Sequence, residues 1–225
     1  MKVISVNIGK IQTQPWRDGT LTAMDKAAVE GQVKVGFAGL EGDEQADKQN
    51  HGGADKAIFV MPAGNYQRFQ IERPFGFLGE NITVSGVDET EVCLGDRFQI
   101  GNVLLEVTQP RSPCWKLGKQ AQTGSHWKAS EFMKTYAENG RVGFYCRVLA
   151  EGEITAEQSI NWLTRNDTAT SRKQGFVKIP IDQLYLAKQF VTDTAAIELL
   201  KQAVQHPALS LAWQNSIQSI LSTKL

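Results

Sequence analysis

Short apolar runs broken by glycine-bearing turns occupy the chain up to about Gly152, and further on the spacing of apolar positions lengthens to that of helices. Ile4 to Ile8, Val33 to Val35, Ala57 to Met61, Asn81 to Val84, Arg97 to Ile100, Val103 to Val107 and Phe144 to Leu149 have the length and residue content of strands. FQIGNVLLEV, residues 98–107, is the sharpest signal, because Gly101 and Asn102 tolerate the positive φ angles of a two-residue hairpin. Within this part Pro62 to Gln70 and Ser125 to Glu138 read as helices, the second stopped by Asn139 and Gly140. All twenty glycines lie at or before Gly175. Beyond it Ile181, Leu184, Tyr185 and Lys188, then Ala196, Leu199, Leu200 and Ala203, then Trp213, Ile217, Ile220 and Leu221 follow helical spacing. The pattern predicts a mainly β chain followed by a small helical module, whose stripes read as core or docking surface rather than a ligand site.

Composition narrows the partners. The 24 basic residues balance the 24 acidic ones, which disfavours a nucleic acid polymer or an anionic membrane as main partner and makes any anion site local. The first ten residues alternate like a strand and lack the apolar core of a secretory signal, and no run has the length of a membrane span. Three widely spaced cysteines, without a CxxC pair, fit reduced thiols in a cytoplasm better than a disulfide framework.

Cys93 and Cys146 sit among apolar residues on expected strands and read as small hydrophobes. Cys114 differs, because in QPRSPCWKL it stands between Arg111 and Lys116, whose charges favour thiolate over thiol and prepare the sulfur to attack an electrophile or to ligate a soft metal. Pro110 and Pro113 cannot donate ladder bonds, so the sheet is expected to end near Thr108 and to deliver Cys114 to a stiff loop at its rim. In HGGADKA, Gly52 and Gly53 can aim backbone amides at an anion, with His51 and Lys56 adding donors and charge. GENITV offers Glu80 and Asn81 either to a polar heterocycle or to a turn, and Gly42 and Asp43 of GLEGD read as structural. A hydrolase in which His51 activates Cys114 uses two of these residues; a thiolate-ligated metal cofactor with an anionic tail uses every motif.

In order, GLEGD, HGGADKA, GENITV, QPRSPCWKL and GRVGFYCRVL resemble the MOSC domain, named after the C-terminal domain of molybdenum cofactor sulfurase, and in particular its bacterial YiiM-like branch. The resemblance implies a β-barrel-like MOSC domain over residues 1–160 and an appended three-helix module over 161–225. It implies a molybdenum cofactor, molybdopterin-bound, with Cys114 as the protein's sulfur ligand to the metal and His51 beside it in catalysis. His51, Gly52, Gly53, Lys56, Glu80, Asn81, Arg111, Ser112 and Lys116 would hold the cofactor. Relatives of this kind reduce N-hydroxylated small molecules, among them hydroxylaminopurine-type base analogues, as a detoxification. With three cysteines and no nicotinamide or flavin fingerprint, the expected electron donor is a separate reductase, a flavoprotein. A cofactor or sulfur carrier using Cys114 stays open as an alternative, as does a homodimer.

Overall fold

The computed structural model describes residues 1–47, 52–164 and 177–224. The chain forms β1 (Lys2–Ile8), β2 (Gln12–Gln14), β3 (Thr20–Thr22), β4 (Ala27–Ala28), β5 (Val33–Gly36), β6 (Gly39–Leu40), β7 (Ile58–Pro62), α1 (Gly64–Arg68), β8 (Ile82–Ser85), β9 (Arg97–Ile100) and β10 (Val103–Pro110). It continues through α2 (Trp115–Gly124), α3 (Ala129–Asn139), β11 (Phe144–Ala150), β12 (Gly152–Ile154) and β13 (Ile160–Thr164), and ends in α4 (Ile181–Gln189), α5 (Thr194–Val204) and α6 (Leu211–Lys224).

Eight strands share one sheet in the order β13-β9-β10-β11-β7-β8-β1-β4, with only the β7–β8 pair parallel. The sheet curls onto itself, because the start of β1 also bonds the segment entering β13: Val3 N donates to Gln158 O (3.0 Å), Glu157 N to Val3 O (2.8 Å) and Ile160 N to Met1 O (3.1 Å). Closure hides sheet edges that would otherwise pair with other chains. Inward side chains such as Ile58, Ile82, Phe98, Ile100, Leu105 and Phe144 fill the interior. β12, β5 and β6 form a small second sheet, and β2 and β3 a separate hairpin.

Several local expectations change for physical reasons. A bulge between Val3 and Ser5 breaks the alternation of β1, so Val3 and Val6 face the core while Ile4 and Ile8 are only partly buried. In the β9–β10 hairpin Gly101 alone takes a positive φ, 56°, as in turns that need glycine at the first central position. Pro62 belongs to β7, and the helix expected from it shortens to α1. The helix expected from Ser125 starts at Ala129, because Ser125 lies just past α2 and its hydroxyl donates to Ala121 O (2.7 Å); Gly140 caps its end at φ 75°. Cys93 forms an isolated bridge to Pro180 rather than lying on a strand.

The C-terminal helices pack on the barrel. Leu94 N donates to Ile179 O and Ile181 N to Val92 O, both at 2.9 Å, and Arg141 bridges Asp88 (2.7 Å) and Asp182 (3.2 Å). Ser210 reaches β10 through Thr108 O (3.2 Å) and the Gln109 side chain (2.5 Å). Leu200, Ala203, Trp213 and Ile217 join the buried core.

Behind α1 lies Glu89, whose Oε1 accepts from Asn65 Nδ2 (2.6 Å) and from Gly143 N (2.9 Å) while Oε2 is buried without a partner. Burial is the main cause that pushes its carboxyl up to about 6. The folded value exceeds the unfolded one, so the cost of ionising it is complete above about pH 6, shrinks as the pH falls through 6, and is gone below the unfolded value of 4.5. Glu89→Gln is therefore expected to be more stable than the wild type at pH 7.5, by about 2 kcal/mol at 1.36 kcal/mol per unit. Paired urea midpoints from pH 7.5 to 4.5 check this: the difference should close on acidification.

Candidate active site

β10 runs to Pro110, two residues past the expected end of the sheet, because Gln109 and Pro110 still pair with Tyr145 and Phe144 of β11. The chain then turns into α2, and Cys114 takes its N-cap position with extended backbone (φ −112°, ψ 165°). The loop expected around the cysteine is thus the head of a helix. There the helix dipole favours negative charge, in the same sense as Lys116 within the first turn, while Leu117 N donates to Cys114 O (2.9 Å). Gly118 explains why α2 is hard to see in sequence: a Cβ there would lie 2.7 Å from Met133 and 2.8 Å from Ala129 O of α3, so a poor helix former is kept for close helix contact.

Two adjoining chambers lie at this end of the barrel, and Cys114 lines the outer of them. The outer one, about 470 Å³, is walled by Cys114, Ser112, Trp115 and Lys116, by Tyr145 and Lys56, and by Lys188 and Trp213 from α4 and α6. The inner one, about 90 Å³, shares Asp47, Lys56, Lys116 and Tyr145 and ends on Lys26, Asp43, Phe59, Asn81 and Arg111.

Arg111 is only 5% exposed. Its N–H donates to Gly143 O (3.1 Å), Nη1 donates to the Tyr136 hydroxyl (3.3 Å), and the guanidinium lies 5.0 Å over Phe59 and 5.9 Å over Tyr136. No carboxylate lies within ion-pair distance of it among the described residues. Burial works to lower its pKa, but Tyr136, Tyr145 and Cys114 together outweigh burial and raise it, so it stays a firm cation. Burial lowers Lys56 despite Asp55 and Asp47, and raises the Tyr145 hydroxyl despite Arg111.

Asp43 organises the inner floor. It pairs with buried Lys26, accepts from Gly9 N (2.7 Å) and accepts from Asn81 Nδ2 (2.8 Å), while Asn81 Oδ1 accepts from Phe59 N (3.1 Å). Burial lowers Lys26, opposed by Asp43 and then Glu80. Asn81 is thus a strut whose side chain also faces the chamber.

Cys114, Ser112, Arg111, Lys116, Lys56 and Asn81 come together here. Glu80 does not line either chamber; it is fully buried, accepting from Tyr66 (2.7 Å), Gly76 N (2.7 Å) and Thr83 (2.9 Å), and burial raises its carboxyl. Gly52 and Gly53 face a neighbouring depression that shares Asp43 and Glu44 with the inner chamber. Gly53 has φ 99° and its carbonyl accepts from Lys56 N (2.9 Å), which fixes the lysine's turn. His51 lies outside the described residues. Sequence reasoning missed Lys26, Tyr145, Lys188 and Trp213, which no local motif marks, and treated Asp43 as structural.

The MOSC domain pattern matches residues 47–161 of the chain. Protein YiiM of Escherichia coli strain K12 is 34% identical over 174 residues, 74% of each chain. A protein of Gibberella moniliformis named "Reductase" is 31% identical over 171 residues, which are 72% of this chain and 29% of that one. The crystal structure of YiiM from Geobacillus stearothermophilus superposes with a TM-score of 0.73 at 32% identity over 98% of both chains. With the cysteine at a helix head beside a cation-lined cleft in a curled sheet, these matches establish that the chain belongs to the MOSC domain family, in its YiiM-like branch.

Proposed function

We propose that the protein is a molybdenum-cofactor-dependent reductase of N-hydroxylated compounds, with Cys114 as the sulfur ligand to the metal. The observation that carries this reading is a thiol at a helix head, opening on a cavity whose inner end holds a buried guanidinium without a carboxylate partner among the described residues. A buried cation of this kind is stabilised further by an anion entering the cleft. The donor set therefore fits an anionic group that carries a thiophilic metal: sulfur at one end, and Arg111 with Lys56 and Lys116 to hold phosphate.

The MOSC domain is associated with molybdenum cofactor binding, and when bound that group supplies two-electron oxygen-atom chemistry. The chain's own residues do the rest. Arg111 neutralises the phosphate, Asn81 and the Asp43–Lys26 pair offer polar edges to the pterin, and the aromatic faces of Phe59 and Tyr145 exclude water from the inner chamber. The Tyr145 hydroxyl is protonated at neutral pH, as a phenol ordinarily is, burial moves its pKa further up, and it can donate a hydrogen bond. Electrons come from a separate flavoprotein, and the name of the Gibberella relative fits a reductive role.

Protein made in cells that synthesise the cofactor, assayed with reduced viologen and an N-hydroxylated adenine, tests the assignment. Cys114→Ser should cut turnover by more than about 100-fold, since even changes to groups that merely orient a metal ligand cost 10–100-fold, with little change in Tm. Undiminished turnover in that variant would remove the sulfur-ligand reading. Arg111→Gln should lower the pterin content per chain, read by oxidative pterin fluorescence after denaturation.

A further inference from the structure

The outer chamber, about 470 Å³, holds one cation not yet accounted for. Lys188 of α4 lies with Nζ 4.7 Å from the centre of the Trp213 ring of α6, and both line the chamber that holds Cys114. No carboxylate lies within ion-pair distance of Lys188 among the described residues. Burial lowers its pKa. The indole face positions the ammonium while leaving its charge available, since a ring quadrupole attracts a cation without neutralising it.

Both residues lie beyond the stretch matched by the family pattern, which ends at residue 161. The other walls offer Trp115, Tyr145 and Pro113 as flat or apolar surface, and a volume of about 470 Å³ suits a ligand of drug-like size. From this geometry we infer that Lys188 is a specificity-determining residue that selects substrates in which a planar ring is joined, directly or through a sugar, to an anionic group, a phosphate or a carboxylate. The inference rests on the reading of this cavity as the place where substrate meets cofactor. It adds a charge requirement that the reaction itself does not impose.

The test uses binding rather than turnover, on cofactor-loaded protein so that the cofactor's own phosphate site is filled. Calorimetric affinities are compared within two matched pairs, adenosine 5′-monophosphate against adenosine and nicotinate against nicotinamide. In the wild type the anionic member of at least one pair should bind about tenfold more tightly, a preference that weakens as added salt screens the charge. Preference in the first pair assigns phosphate, and in the second carboxylate. Lys188→Met should bring the members of that pair within about twofold of each other, with molybdenum content as the check on folding; Trp213→Leu should reduce the preference in the same direction. Equal affinities in both pairs for the wild type, or a preference that survives Lys188→Met, overturns the inference. No step of this experiment requires reduction, so a lost preference in Lys188→Met and a lost turnover in Cys114→Ser are read separately.

Discussion

A guanidinium held under the wall of a barrel without a carboxylate partner among the described residues is an unusual thing to build, since an isolated buried ion costs several kcal/mol unless its surroundings take up the charge. Here the surroundings are a phenol hydroxyl, two aromatic faces and the field of a cysteine at a helix head. The side chain is held in place by its own backbone, whose N–H is fixed to Gly143 O. Gly143 in turn has φ 73°, and a Cβ on it would come within 2.7 Å of the Phe59 ring and 2.8 Å of Val60 O. Glu89 holds the same glycine from behind through its N–H. The electrostatics of the cleft thus descend from a tightly fitted turn that only glycine can make.

The helical part of the chain is coupled to this site by a second polar cluster. Asp55, in the 3-10 turn Ala54–Lys56, pairs with Arg147 (2.8 Å) and accepts from Leu211 N (3.2 Å) at the start of α6. Arg147 also donates to Ala208 O (2.9 Å). The turn that presents Lys56 to one side of the chamber is therefore tied to the helix that presents Trp213 to the other. What looked in sequence like a core stripe at helical spacing is both core and cavity wall, because Trp213 buries its ring while Lys188 keeps its head over it.

The strands were legible because their hydrophobic runs are bounded by turn residues whose chemistry is local, as in FQIGNVLLEV. So was the chemical interest of Cys114, since Arg111 and Lys116 stand beside it in the chain. The helix after Cys114 was not, because Gly118 and Gly124 lower propensity there and their reason, contact with α3 and with Phe77, lies far away in sequence. Glu80 misled for a related cause: a carboxylate beside Asn81 suggests a binding edge, but Glu80 is turned into the core, where Tyr66, Gly76 and Thr83 bond it, while its neighbour Asn81 lines the cleft. Lys26, Tyr145 and Lys188 meet at the site only through the curl of the sheet and the return of the C-terminal helices, which no spacing rule encodes.

Barrel closure by residues 157–160 against the start of β1 also bears on how the protein is made. β1 is synthesised some 150 residues ahead of these partners, and until they follow, the backbone groups of Met1 and Val3 that they pair with are unmatched by them. Nascent chains carrying such an unzipped seam pair readily with one another. Crowded polysomes, rather than the finished molecule, are where this architecture is most exposed to misassembly.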